Sequence, residues 1–276
     1  MKDTKIYKTE VIYAELKQRM ENKMPFAICR MGNAEVTTIN SKELTHKRSI
    51  TQGIPEYALP EVLDMLRYSG NKCDFVASMG ALLTEEYFEK NIPEDSEYRR
   101  WESIYKEFGI INSQYCNPDI GYLIFLEGKY NLWELIKDKR ICLITSKTSV
   151  YDIMKHSNPN TGLIEVTPQT TRQQYTKDMK IPICGRWHWE ECDDIKKQIK
   201  SNINNYDIFL IGAGYLAKGY SVYIRNHGGI SFDVGKVMNT WAGEGLGRMV
   251  DWIEPSDTIP FSFKLTEKGK QYEGKF

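Results

Sequence analysis

The sequence predicts an α/β fold: a Rossmann-like, mostly parallel sheet flanked by helices and followed by an irregular C-terminal arm. Two observations carry this prediction. Short apolar segments rich in β-branched residues recur along the chain, and segments with apolar residues at helical spacing lie between several of them. Strands that alternate with helices form a parallel sheet covered on both faces, because each helix returns the chain to the edge where the next strand begins.

Seven segments have the length and apolar composition of buried strands. They are residues 26–30, 74–79, 110–115, 140–145, 162–167, 207–212 and 229–234. Four segments repeat apolar residues every three or four positions, as the core-facing side of a helix does. These helices are predicted within residues 59–66, 101–108, 195–203 and 216–227. From about residue 244 to residue 276 neither pattern continues, so we expect one domain, residues 1–276, that ends in an arm.

The composition narrows the class of protein. The 276 residues include 37 Lys and Arg against 37 Asp and Glu, and this balance argues against a nucleic-acid binder, which usually has a basic excess. No apolar run approaches the roughly 20 residues that span a bilayer, and the charged N-terminus lacks the apolar core of a signal peptide. We therefore expect a cytoplasmic protein with six reduced cysteines, and leave peripheral membrane contact and a homo-oligomer open.

Ligands of open α/β sheets bind at the carboxyl ends of the strands, so the residues after each predicted strand are candidates for a site. One such segment is Gly212-Ala213-Gly214, which lies between a predicted strand and a predicted helix that contains Lys218. Glycines let a phosphate approach the backbone, and the start of a helix offers free N–H groups. The same glycines are also typical of a tight structural turn, so both interpretations stay open.

A second candidate segment is "CRMGNAEV", residues 29–36, at the end of the first predicted strand. Arg30 is costly to bury without an anion, and at a strand end its planar guanidinium can hold a phosphate. Gly32 permits a tight turn, and Glu35 with Asn33 offers the oxygen ligands that Mg²⁺ and Mn²⁺ prefer. The alternative is structural: Asn33 caps a helix and Glu35 stabilises its first turn.

Two further segments contain residue types that bind ligands. Arg172 lies in the polar segment 167–175 after a predicted strand, where it is either a phosphate partner or part of a solvated loop. Cys184, His188 and Cys192 are spaced by four residues, as zinc ligands on a helix can be, but no fourth ligand lies nearby. The sequence keeps Arg172 as a candidate and disfavours zinc.

Two blocks of the sequence together resemble the GT-D fold glycosyltransferases, bacterial enzymes that extend glycans on surface proteins and polysaccharides. The first is "CRMGNAEV", which is similar to that family's Arg-x-Gly-Asp-x-Glu after an apolar strand. The second is "LIGAGYLAKGYSVYIRNHGGISFDVGKVMNTWAG", which looks like its Gly-Ala-Gly turn, helix, and strand that ends in Asp-x-Gly. Because the blocks lie near the two ends of the chain, the resemblance spans most of its length.

The resemblance implies metal-assisted transfer of a sugar from a UDP-sugar to a glycan, glycoprotein or polysaccharide-precursor acceptor. It implies a catalytic role for Glu35, which would hold Mn²⁺ (or Mg²⁺) and the diphosphate, although Asn33 stands where the family has Asp. Arg30 and the helix start near Gly214 would stabilise the departing diphosphate. Asp233, at the end of a strand, is the candidate for the base that takes the acceptor's proton, or else it holds hydroxyl groups of the donor.

Two other functions stay open at this stage. A nicotinamide- or S-adenosylmethionine-dependent Rossmann enzyme would rest on "GAGYLAKG" alone, and such folds usually carry the glycine-rich turn after the first strand. A non-catalytic nucleotide-sugar-binding protein would explain why an amide replaces an acid at position 33. The residues that we expect to contact the donor are Arg30, Gly32, Arg172, Gly212, Gly214 and Lys218.

Overall fold

A computed structural model of the chain describes residues 6–78, 97–111, 114–246 and 249–271, with side chains described from residue 103 onward in the second range. Its main sheet contains the strands β1 (Ile6–Tyr7), β2 (Phe26–Met31), β3 (Phe75–Ser78), β4 (Gln114–Cys116), β5 (Ile141–Thr145), β6 (Thr161–Glu165), β7 (Ile208–Gly212) and β8 (Ile230–Asp233). All of them pair in parallel, in the order β1-β4-β3-β2-β8-β7-β5-β6. The predicted α/β fold class is confirmed.

Helices cover both faces of this sheet. Within the described ranges they are α1 (Thr9–Glu21), α2 (Asn33–Ser41), α3 (His46–Gln52), α4 (Leu59–Lys72), α5 (Glu97–Phe108), α6 (Ile120–Leu123), α7 (Leu132–Ile136), α8 (Thr148–Ser157), α9 (Cys192–Asn202), α10 (Leu216–Asn226), α11 (Val237–Trp241) and α12 (Glu267–Lys270). Successive side chains of a strand point to opposite faces of the sheet, and in β2 both sets are buried. Phe26 and Ile28 belong to one apolar cluster, and Cys29 and Met31 belong to the other. The four predicted helices correspond to α4, α5, α9 and α10.

The predicted strand 110–115 differs from the structure. α5 ends at Phe108, Gly109 adopts a φ of 86°, and the N–H of Ile110 donates to the carbonyl of Tyr105. Ile110 therefore terminates a helix, as a glycine-based C-cap requires, and β4 starts only at Gln114. Residues 79, 112 and 113 of the predicted strands lie outside the described residues.

The C-terminal arm contains regular structure that its sequence pattern does not indicate. β9 (Ile253–Pro255) and β10 (Phe263–Leu265) pair antiparallel in a separate two-stranded sheet. Ile253 and Phe263 are buried in one of the two apolar clusters, and backbone hydrogen bonds join Phe263 to Phe125 and Glu127. The described part of the arm is thus packed against the main sheet's core.

The order of the strands determines where a site can form. After β2 the chain builds one half of the sheet through β3 and β4, then crosses over to build the other half from β5 to β8. The two halves meet where β2 pairs with β8, and ligands of open α/β sheets bind at such a point. None of the described helices is long and apolar enough to cross a membrane.

Candidate active site

The central strands bring three predicted segments together at their carboxyl ends. β2 ends one residue after Arg30, β8 ends at Asp233, and the turn after β7 leads into α10, which carries Lys218. Because β8 pairs with β2 on one side and with β7 on the other, these side chains become neighbours. Arg30 and Asp233 are 203 positions apart in the sequence, and the backbone N–H of Arg30 donates to the carboxylate of Asp233 at 3.1 Å.

Lys218 lies at the centre of this cluster and is only 3% exposed. Its ammonium nitrogen lies 2.7 Å from Oε1 of Glu35 and 3.2 Å from Oδ2 of Asp233. The same nitrogen donates a hydrogen bond of 2.9 Å to the carbonyl oxygen of Gly214. Three oxygens therefore surround the three N–H donors of the ammonium, and this arrangement satisfies a charge that would otherwise be costly to bury.

Backbone N–H groups hold the carboxylate oxygens that remain. Oε2 of Glu35 accepts a hydrogen bond of 3.0 Å from the N–H of Gly32, which is the N-cap residue of α2. Glu35 is the third residue of that helix, so the contact is one half of a capping box. Oδ1 of Asp233 accepts from the N–H of Gly235 at 3.1 Å. Each of the four carboxylate oxygens in the cluster thus has a partner, and the helix cap is Gly32 where the structural alternative expected Asn33.

The charges of the cluster depend on one another. Burial alone would raise the pKa of Glu35, but the charge and hydrogen bond of Lys218, with the charge of Arg30, hold that pKa below its ordinary value. Burial raises the pKa of Asp233, and Lys218 only partly opposes the effect. For Lys218, burial acts to lower the pKa, but the two carboxylates outweigh burial and the pKa lies above its ordinary value. The lysine is therefore charged at neutral pH.

Arg30 is the second cation next to this cluster, and its side chain is half-buried. Its Nε donates to the carbonyl oxygen of Pro118 at 3.0 Å, whereas its two terminal nitrogens have no hydrogen-bond or ion-pair partner among the described residues. Two glycines make room for this side chain: a Cβ at Gly32 would lie 3.0 Å from a terminal nitrogen of Arg30, and a Cβ at Gly235 would lie 2.9 Å from its Cδ. The guanidinium is thus positioned by its Nε and keeps its other donors for an anion.

The glycine-rich turn is covered by amide side chains. Gly214 has a φ of 56°, and a Cβ there would lie 2.1 Å from Nε2 of Gln169 and 2.7 Å from Oε1 of Gln52. Nε2 of Gln169 is buried and has no hydrogen-bond partner among the described residues. At Gly212, in contrast, a Cβ would lie 2.8 Å from the Cβ of Met238, so that glycine lets α11 pack closely against β7.

Tyr215 links the two helices that carry the cluster. It precedes α10, and its buried hydroxyl donates to the carbonyl oxygen of Ala34 at 2.8 Å and lies 2.9 Å from Oγ1 of Thr38. Both partners belong to α2, the helix that also carries Glu35. The contact therefore fixes the start of α10 relative to α2, and with it the position of Lys218 relative to Glu35.

With this geometry established, the chain can be compared with known proteins. Residues 7–241 match the family described as GT-D fold-like domain. The chain belongs to the GT-D-like family. Membership confirms the resemblance seen in the two sequence blocks, and it supports the prediction that the chain is a glycosyltransferase. A search of curated proteins found no match.

Solved structures share the fold of this GT-D-like chain. One is described as a new glycosyltransferase, domain of unknown function 1792, from Streptococcus sanguinis; it is 15% identical, with a TM-score of 0.55 over 98% of this chain and 97% of the other. Another is described as a domain of unknown function 1792 with a distinct glycosyltransferase fold; it is 11% identical, with a TM-score of 0.52 over 97% and 93% of the two chains. At these identities the likeness shows the fold alone.

The residues of the GT-D-like chain do not fit a protein-bound divalent metal in this arrangement. Asn33 and Glu35 are the first and third residues of α2, and two helical steps turn side chains about 200° apart. Accordingly Asn33 is exposed while Glu35 is buried against Lys218. The described ranges contain no group of three or more His, Cys, Asp and Glu side chains suited to a metal ion. The Mn²⁺ or Mg²⁺ expected from the resemblance stays a prediction.

The other candidates do not pair with the cluster. Arg172 is exposed in the loop after β6, three residues beyond Gln169, and forms no hydrogen bond or ion pair with Arg30, Glu35, Lys218 or Asp233 in the described residues. His188 is fully buried with its Nε2 3.3 Å from the hydroxyl of Tyr220, whereas Cys184 is exposed. This difference in burial does not favour a shared zinc site for the cysteine and the histidine.

Sequence reasoning missed three contributors to the site. The carbonyl of Pro118 orients Arg30, and the side chains of Gln52 and Gln169 cover the glycine-rich turn. The polar segment 167–175 contains Gln169 and was a candidate loop through Arg172 alone. No local signal marks a carbonyl oxygen or the last residue of α3 as part of a site, because both contacts arise from the packing of distant segments.

Proposed function

We propose that this GT-D-like chain is a glycosyltransferase that transfers a sugar from a UDP-sugar to a hydroxyl group of a glycan, glycoprotein or polysaccharide-precursor acceptor. The observation that carries the proposal is Arg30. Its guanidinium stands at the carboxyl edge of the central strands, held by the carbonyl of Pro118, with both terminal nitrogens unpartnered among the described residues. In a chain with a glycosyltransferase fold, such a cation suits the diphosphate of a sugar donor.

Arg30 would act on the leaving group. When the bond between the sugar and the diphosphate breaks, negative charge develops on the terminal phosphate oxygen and positive charge on the sugar. Planar N–H donors aimed at that oxygen lower the free energy of the transition state, because they gain strength as the charge grows. The N–H groups at the start of α10, after Gly214, offer further donors to the same anion.

Gln169 and Gln52 would meet the donor next to that turn. Their amide groups lie over Gly214, where a phosphate approaching the backbone must pass. The unpartnered Nε2 of Gln169 is a buried donor for which an oxygen of the donor molecule would supply the missing acceptor. We expect both side chains to shift or to contact the donor when it binds.

Asp233 retains two candidate roles. Both of its oxygens accept hydrogen bonds: Oδ1 from the N–H of Gly235, and Oδ2 from the N–H of Arg30. Oδ2 also pairs with the ammonium of Lys218. This geometry favours a positioning role over that of a general base, which must free an oxygen for the acceptor's proton. If Asp233 is the base, the variant Asp233→Asn should transfer sugar roughly 100-fold or more slowly in a single turnover, with unchanged affinity for the UDP-sugar. If Asp233 is a positioning residue, affinity and transfer rate should fall together.

The function itself is tested by UDP release from a panel of UDP-sugars, with and without Mn²⁺. We expect hydrolysis or transfer with at least one donor, and a loss of UDP affinity of about tenfold or more in Arg30→Gln, since a charge-assisted contact contributes about 1.5–3 kcal/mol. Arg140→Gln is the matched control, because Arg140 pairs with Asp207 at the opposite end of β5 and β7.

Two outcomes would contradict the proposal. UDP binding without turnover of any donor would identify a non-catalytic nucleotide-sugar-binding protein. Binding of NAD or S-adenosylmethionine in place of UDP would identify the Rossmann-enzyme alternative, which family membership already disfavours. Thermal-shift measurements with UDP, UDP-sugars, NAD and S-adenosylmethionine identify the ligand, and the UDP-release assay shows whether a donor is turned over.

A further inference from the structure

The position of the Lys218 ammonium has the donor set of a cation site. One oxygen each from Glu35 and Asp233 and the carbonyl oxygen of Gly214 lie within 2.7–3.2 Å of the nitrogen. Carboxylate and carbonyl oxygens are the ligands that Mg²⁺ and Mn²⁺ prefer, at distances of about 2.1 Å. A metal ion on these oxygens and the ammonium of Lys218 would therefore compete for one position.

Neighbouring groups keep the lysine in that position. Gly32 and Gly235 donate their backbone N–H groups to the remaining oxygens of the two acids, so neither carboxylate has a second face ready for a metal. Lys218 itself lies on the first turn of α10, which the buried Tyr215 fastens to α2. Displacing the ammonium would leave a buried cation without partners, which is strongly unfavourable.

The net charge of the four ionisable side chains also favours a lysine over a metal ion at this position. Arg30 and Lys218 carry two positive charges, and Glu35 and Asp233 carry two negative charges when both are ionised. Without the lysine the cluster would have an excess negative charge, which repels a diphosphate and calls for a metal ion to bridge the two. With the lysine the acids are neutralised from within the protein, and the terminal nitrogens of Arg30 stay available to phosphate oxygens.

We propose that Lys218 is a built-in cation that takes the place of the divalent metal, so that this chain binds the diphosphate of its donor without Mn²⁺ or Mg²⁺. The identity of the diphosphate ligand rests on the proposed function. The proposal that Lys218 occupies the site formed by the oxygens of Glu35, Asp233 and Gly214 does not rest on that function, and it can be tested without any nucleotide.

The first experiment measures Mn²⁺ binding by electron paramagnetic resonance, using the full chain without nucleotide. We expect no stoichiometric binding to the wild type and a gain of one bound Mn²⁺ in Lys218→Met, because the variant frees three converging oxygens. Lys147→Met is the matched control: Lys147 pairs with Glu244 at the surface, and its loss frees a single exposed carboxylate. One Mn²⁺ bound tightly by the wild type would overturn the proposal.

The second experiment measures UDP affinity by calorimetry in EDTA and in excess Mn²⁺. We expect dissociation constants that agree within twofold for the wild type, and an affinity at least tenfold weaker in EDTA would overturn the proposal. If Lys218→Met does not fold, the two wild-type measurements decide the matter. If UDP binds in neither buffer, the proposed function fails, while the Mn²⁺ titration of the wild type still tests the role of Lys218.

Discussion

Burial controls the charge of single ionisable side chains in this protein, and the outcome depends on whether a partner is present. Lys218 and Glu35 are both buried, and their pair at 2.7 Å keeps both charged. His188 is equally buried, but its Nδ1 has no hydrogen-bond partner among the described residues. Desolvation therefore lowers the pKa of His188 to about 4.

His188 should make the folded state sensitive to acid. Its pKa is about 4 when folded and 6.5 in its ordinary state, so between these values the unfolded chain binds a proton that the folded chain does not. The stabilisation is complete above pH 6.5 and is lost as the pH falls toward 4, by on the order of 3 kcal/mol. Urea unfolding between pH 7 and pH 4 should show this slope in the wild type and a shallower one in His188→Gln.

His46→Gln provides the control for that measurement. His46 is exposed, near Glu56, so this variant removes a surface histidine and leaves the buried one in place. If the wild type and His188→Gln lose stability in parallel as the pH falls, the neutral, desolvated state of His188 is not the cause.

At the scale of elements, the contact between α2 and α10 holds the site together. α2 supplies Glu35, α10 supplies Lys218, and Tyr215 joins the two helices through two hydrogen bonds of its hydroxyl. The hydrogen bond to Thr38 is buried, because Tyr215 and Thr38 are both fully buried, and the one to Ala34 is partly buried. The arrangement of the ionic cluster thus depends on a neutral contact outside it.

Removal of this hydroxyl should destabilise the chain and loosen the site. Tyr215→Phe keeps the ring but removes both hydrogen bonds of the hydroxyl and takes from the buried hydroxyl of Thr38 this partner, which should lower the free energy of unfolding by about 1–3 kcal/mol. Chemical denaturation measures this change, with Tyr57→Phe as an exposed control that we expect to be neutral. A loss of less than about 0.5 kcal/mol in Tyr215→Phe would show that the contact does not hold the helices.

At the scale of the whole molecule, the C-terminal arm contributes to the core. Phe263 in β10 is buried, packs against Tyr122 at a ring distance of 5.4 Å, and pairs its backbone with Phe125 and Glu127. Tyr122 also lies in the segment between β4 and β5, where the chain crosses from one half of the sheet to the other. The arm therefore supports the connection on which the two-halved sheet depends.

Truncation of Phe263 should weaken the entire domain. Phe263→Ala removes a fully buried ring, and such changes cost about 3–5 kcal/mol. We expect a single cooperative unfolding transition at lower denaturant concentration, seen both in far-ultraviolet circular dichroism and in tryptophan fluorescence. The exposed Ile153 serves as the control, since Ile153→Ala removes an aliphatic side chain from the surface of α8. A second, separate transition for the arm would contradict its place in the core.

The sequence by itself determined the alternation of strands and helices and the residues that follow each strand. Apolar periodicity is a local property, set by residues two, three or four positions apart, so it can be recognised without knowledge of the fold. The local signal failed where elements are short or ended by a glycine. Residues 110–115 continue an apolar pattern past the C-cap at Gly109, and β9 and β10 have only three residues each.

Only the tertiary structure decided which of the predicted site residues are partners. Asn33 and Glu35 are close in sequence, but the helix turns them to different sides. Lys218 has the sequence position of a phosphate ligand, yet its ammonium pairs with acids from β8 and α2. The physical reason is that ion pairs and hydrogen bonds depend on distances of about 3 Å. The order of the strands sets those distances between residues some 200 positions apart, and no local pattern encodes that order.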